Sequence, residues 1–90
     1  MDPTSKASIS ERLRLLRKAL GHTQVTMGKL AGASVTAWQN YETEINRISL
    51  DAALALCAST GLTLDWIYRG RIESLPKELA EKIINEMKRG

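Results

Sequence analysis

Ninety residues, 43% of them apolar and 26% charged, bound a single small domain, because a second core would need roughly another hundred residues. No run of about eighteen apolar residues spans a bilayer, Met1-Asp2-Pro3-Thr4-Ser5 lacks the apolar centre of a secretory signal, and the lone Cys57 and lone His22 exclude an internal disulfide and a Cys/His metal cluster. The net charge of +3 is uneven: residues 1–32 hold Lys6, Arg12, Arg14, Arg17, Lys18 and Lys29 against Asp2 and Glu11, which suits a nucleic-acid partner without requiring one.

A polar N-terminal tail, residues 1–7, is expected to be loosely held. Ser8-Ile9-Ser10-Glu11 reads as a capping box, and a helix follows with Ile9, Leu13, Leu16 and Leu20 on one face and Gly21 as its stop. Thr23 caps a short second helix over about 24–31 that turns Met27, Leu30 and Ala31 inward, and Gly32 closes it. Ser34 begins a third, over about 34–42, with Trp38 and Tyr41 inward. Ser49 opens a fourth, so apolar all round that the pattern predicts a central buried element ending at Gly61. Thr63 caps a fifth, Leu64-Asp65-Trp66-Ile67-Tyr68, stopped by Gly70. A sixth starts near Ser74-Leu75-Pro76 within a C-terminal segment, 71–90, whose Ile72, Leu75, Leu79, Ile83, Ile84 and Met87 form an amphipathic stripe. No strand pattern is present, so the fold class is all-α: five helices plus an extra C-terminal amphipathic helix.

The second and third helices, joined through Ala31-Gly32-Ala33-Ser34, have the lengths and turn of a helix-turn-helix, in which the second helix of the pair enters the DNA major groove. Met27, Gly28, Gly32, Trp38 and Tyr41 would form the hairpin core. Gly32 supplies positive φ, and Gly28 leaves room where Trp38 crosses. Opposite Trp38 and Tyr41, the residues Val35, Thr36, Gln39 and Asn40 present amides, a hydroxyl and methyls, the groups that read base edges, with a leaning toward A·T pairs. Thr23, Gln24, Lys29, Thr43 and Arg47 are the candidates for phosphate contact, with Lys6, Arg12 and His22 as outlying ones.

The segments "ISERLRLLRKALGHTQ", "TQVTMGKLAGASVTAWQNYE" and "SLDAALALCASTGLTLDWIYRG" together resemble the lambda-type phage repressor and Cro family of helix-turn-helix regulators, also called the xenobiotic-response-element family, over about Ile9 to Gly70. The resemblance implies a lambda-repressor-like DNA-binding domain over 8–70. It also implies phosphate-binding and bracing roles for Gln24, a phosphate-contacting position at Thr23, and an Arg17–Glu42 pair joining the first helix to the end of the recognition helix. The chain departs from the family after Glu42, where a glycine and a later proline are usual; Asn46 is expected to take the left-handed turn, and Glu44 brings a negative charge near the phosphate path.

Trp66 and Tyr68, at helical spacing beside Leu64 and Ile67, read as core or dimer-interface residues, and Cys57 as a small buried hydrophobe. No nucleophile and orienting carboxylate accompany His22, so no enzyme, catalytic residue, metal or cofactor is expected. The expected partners are a double-stranded DNA operator and a second copy in a homodimer; the C-terminal helix either folds back on its own core, forms part of that interface or offers a protein-binding surface. The expected function is a repressor or Cro-like switch protein, located in the cytoplasm with the nucleoid. An antitoxin-type regulator that also binds a toxin, and a helical interaction module without DNA binding, stand as alternatives.

Overall fold

The computed structural model describes residues 2–90. The first helix, α1 (Lys6–Leu20), has its N-cap at Ser5, three residues before the expected one at Ser8. The Ser5 hydroxyl, not that of Ser8, accepts from an early helix amide, Ser8 N at 3.1 Å. Lys6 and Ala7 are good helix formers, so the helix extends back to the earlier serine. Ser8 is buried, and its hydroxyl donates to the Asp2 carbonyl at 2.8 Å. The tail is therefore not loose: Arg12 donates to the Pro3 carbonyl and Arg47 to that of Thr4, which fold residues 2–5 onto the body.

Gly21, at φ 71, ends α1, and Thr23 caps α2 (Gln24–Leu30) by accepting from Thr26 N. Ser34 caps α3 (Val35–Glu42), Ser49 caps α4 (Leu50–Thr60) and Thr63 caps α5 (Leu64–Arg69). In each, a hydroxyl at the N-cap satisfies one of the first-turn amides that no helical carbonyl can reach. After Gly70 a single 3₁₀ turn, Ile72–Ser74, precedes α6 (Lys77–Arg89); Pro76 stands at its N-cap, one position earlier than the first helical turn.

One core joins these elements. Leu13, Leu16, Met27, Trp38, Ala53, Leu56, Ile67 and Ile83 are fully buried, with Ile9 and Trp66 nearly so. Trp66 thus belongs to the core, and the Tyr68 hydroxyl donates to the Ile48 carbonyl at 3.0 Å. One sequence expectation fails here. Helix α4 is not buried all round: Leu50, Leu54 and Ala58, one turn apart along one side, are exposed, only Ala52, Ala53 and Leu56 are buried, and Cys57 packs half-buried against the core. Composition cannot tell which apolar side the neighbouring helices cover. The stripe on α6 is divided: Leu79 and Ile83 seat the helix on its own α1, one of the expected arrangements, while Ile84 and Met87 remain open.

Candidate nucleic-acid interface

Helices α2 and α3 pack closely, and the turn between them is built from the backbone. Ala31 N donates to the Met27 carbonyl at 3.0 Å, Ala33 N to that of Gly28 at 2.8 Å, and Gly32 adopts φ 64. Gly28 is buried, but its neighbour is not Trp38. A Cβ there would lie 3.1 Å from the Ala33 carbonyl oxygen and 3.3 Å from that of Ser34. The missing side chain makes room for the turn itself, which doubles back over the end of α2.

The inner side of α3 is fixed by Trp38, whose ring meets Tyr41 edge-on with centroids 6.1 Å apart. The Trp38 indole N–H donates to a carboxylate oxygen of Glu42, one turn on. Glu42 is only 2% exposed, and its side chain gathers three further donor contacts: Arg17 Nε to Oε2 at 2.7 Å, Arg17 Nη2 to Oε1 at 3.1 Å, and Gln24 Nε2 to Oε1 at 3.3 Å. Burial pushes this carboxyl's pKa up, but the hydrogen bonds from Arg17, Trp38 and Gln24 together outweigh it and hold the group below the ordinary glutamate value. The charge stays on, and every direction from which it could be solvated is filled by protein.

Two residues that sequence reasoning passed over complete the grip on α3. The buried Ser10 hydroxyl donates to the Tyr41 carbonyl at 2.6 Å and accepts from Glu44 N at 3.2 Å, while Arg14 donates to the Glu42 carbonyl. Ser10, Arg14 and Arg17 follow one another at helical spacing on α1, so a polar stripe beside the apolar one was their signal. Ser10 and Arg14 satisfy carbonyls that the end of α3 leaves unpaired, while Arg17 holds the Glu42 carboxylate. The left-handed residue that ends α3 is Glu44, at φ 66, and not Asn46. Ile45 N and Asn46 N both turn back to the Asn40 carbonyl, at 3.1 and 3.2 Å, and this register puts the reversal two positions earlier than side-chain preference alone suggests.

The opposite side of α3 is mostly open, touched by α2 through Gln24. Val35, Thr36, Gln39 and Thr43 are exposed and Asn40 is half-buried. Gln39 donates to Gln24 Oε1 at 3.2 Å, so one carboxamide, that of Gln24, braces both the outer Gln39 and the buried Glu42. The Gln39 carbonyl oxygen and its second amide hydrogen stay available. Thr43 donates its hydroxyl to the Gln39 backbone carbonyl at 2.8 Å, and the Thr23 hydroxyl is engaged at the cap of α2. Lys29 is exposed on α2. Arg47 is exposed but tied to Thr4, and Arg12 lies elsewhere: its Nε donates to the Ile67 carbonyl at 3.0 Å, which removes it from the outlying phosphate candidates.

Two short helices locked at a fixed angle by a backbone turn, with the second buried on one side and open on the other, define a helix-turn-helix protein. Residues 8–65 match the family described as helix-turn-helix domain, and the chain belongs to it. That places it with DNA-binding regulators, which are typically not enzymes. Neither the curated proteins nor the solved structures contain a match to this chain. Among the described residues no helix is long and apolar enough to cross a membrane.

Proposed function

We propose that the protein is a sequence-specific regulator of transcription that binds double-stranded DNA through the outer side of α3. The observation that carries this is the division of α3 into a side locked by Trp38 and Glu42 and a side on which Val35, Thr36 and Gln39 are exposed and Asn40 is half-exposed. Gln39 and Asn40 read adenine edges, while Val35 and Thr36 pack on thymine methyls. Because this side holds no lysine or arginine, affinity comes from phosphate contacts by Thr23, Gln24, Lys29, Thr43 and Arg47, the last after release from the Thr4 carbonyl.

The particular form proposed is a phage-type repressor or Cro-like switch protein that occupies an operator as a dimer. The resemblance over Ile9 to Gly70 supports the first part. The exposed Leu50 and Leu54 of α4 and Ile45 just before it support the second, as an apolar surface suited to a second copy. Selection of bound fragments from genomic DNA, followed by gel shifts across a salt series, tests the reading. A site with two related half-sites and a steep loss of affinity with salt is expected; no selected sequence, or a salt-insensitive shift, overturns it.

A further inference from the structure

On the side of the molecule away from α2 and α3, a cavity of about 340 Å³ opens between α1, the end of α5 and α6. Leu15, Trp66, Ile84 and Met87 give it apolar walls, and Arg12 brings the one cation among its lining residues. Ile84 and Met87 are large apolar side chains left 38% and 56% exposed at its rim, although Leu79 and Ile83 on the same helix are buried.

Arg12 is the unusual group. Two backbone carbonyls, of Ile67 and Pro3, hold its Nε and Nη2, which fixes the guanidinium in place. Its Nη1 has no hydrogen-bond partner among the described residues, and no carboxylate pairs with it. Partial burial lowers its proton affinity, and the nearby Glu11 carboxylate, which forms no ion pair with it, offsets this only in part. Gly70, at φ 74, keeps that edge clear, since a Cβ there would come within 3.0 Å of Nη1. A positioned, unpaired guanidinium beside an apolar hollow fits an anionic head attached to an apolar body.

We propose that this cavity binds a small amphiphilic monocarboxylate, its head on Arg12 Nη1 and its chain or ring against Leu15, Trp66, Ile84 and Met87. The volume lies at the small end of ligand cavities, roughly 300–1,000 Å³, which suits one short acyl chain or one aromatic system and not a two-chain lipid. Arg12 is the one cation in the lining and Glu11 stands exposed on the rim, so the site has a single positive group to match a single negative charge.

The probes are octanoate and octan-1-ol, which share a body and differ in the head, titrated into the full chain and followed by amide and indole N–H resonances. Octanoate should shift Leu15, Gly70, Ile72 and the Trp66 indole in a saturable way and leave the Trp38 indole unmoved. Octan-1-ol should bind about tenfold more weakly, and Arg12→Gln should reduce octanoate to the level of the alcohol. Since Arg12 also ties down Pro3 and Ile67, Met87→Glu at an exposed position serves as the second variant. It should weaken octanoate by about tenfold or more in a protein whose melting curve is intact. No saturable shift at the cavity, equal affinity for acid and alcohol, or undiminished binding by a folded Met87→Glu variant overturns the proposal.

Discussion

Replacing Glu42 by alanine tests the physical reasoning about α3 most directly. The substitution removes a carboxylate 2% exposed and leaves the Trp38 indole N–H buried without an acceptor, Arg17 without its counter-ion, and Gln24 without one of its two partners. Breaking a buried pair by deleting one member costs roughly 3–5 kcal/mol. Arg17 is 21% exposed and can turn to water, which favours the lower end, about 3 kcal/mol. A chain of this length has about 5–13 kcal/mol of total stability, so the loss is a large fraction of it. Urea melts of the parent, Glu42→Ala, Arg17→Ala and the double variant measure both the loss and the coupling. We expect the midpoint to fall with unchanged slope, a thermal midpoint lower by about 12–24 °C, and a coupling of roughly 1–3 kcal/mol. The pH dependence has a fixed sign. The folded carboxyl is held below its ordinary value, so its contribution is complete above the usual glutamate pKa of about 4.3 and disappears as pH falls through the lower folded value. Arg17→Ala removes the first of the groups opposing burial, and this acid slope of stability should flatten. A loss under about 1 kcal/mol for Glu42→Ala, or additivity in the cycle, would refute the account of how α3 is held.

Three further outcomes are expected. Gly28→Ala adds a Cβ against the Ala33 and Ser34 carbonyls, and the overpacking of roughly 1–3 kcal/mol should exceed the gain of about 1 kcal/mol in helix propensity, so a melting temperature equal to or above the parent's counts against the turn packing described. Glu44→Gly relieves a left-handed residue and should raise stability by about 0.5–1 kcal/mol in the same melts; because it also removes a negative charge near the proposed phosphate path, DNA affinity should rise with it. On a selected operator, Asn40→Ala should cost roughly 1–3 kcal/mol and relax discrimination at one base pair, whereas Lys29→Ala should weaken all sequences alike and reduce the salt slope by about one, both read by fluorescence anisotropy.

Much of this architecture can be read from the amino acids because short hydroxyl side chains mark helix starts by a local mechanism: Thr23, Ser34, Ser49 and Thr63 all accept from the amide three residues on. Likewise Gly21, Gly61 and Gly70 are left-handed where helices stop. The readings that failed depended on relations between distant segments. Ser5 and Ser8 are equally good caps locally; Lys6 and Ala7 let the helix run back to Ser5, and the Ser8 hydroxyl is then taken up by the Asp2 carbonyl. Asn46 has the better side chain for a left-handed turn, yet the Glu44 amide is the one that meets Ser10 across the fold. Gly28 invited a pairing with the largest nearby ring, whereas the closest atoms are backbone oxygens, which have no signature in residue type. Of the outer side of α3, the residue types were legible; the Gln24 link that leaves Gln39 only part of its hydrogen-bonding capacity was not.

The grip of Ser10, Arg14 and Arg17 on the last turn of α3 makes α1 a ruler. Each residue inserted into an α-helix rotates everything beyond it by about 100° and advances it by 1.5 Å. One extra residue between Ser10 and Arg14 would therefore swing both arginines off the end of α3 while leaving the composition of α1 almost untouched. On the proposed reading, descendants of this chain are free to exchange Val35, Thr36 and Asn40 for other side chains and so visit new target sequences, but they have to keep the count of residues in α1.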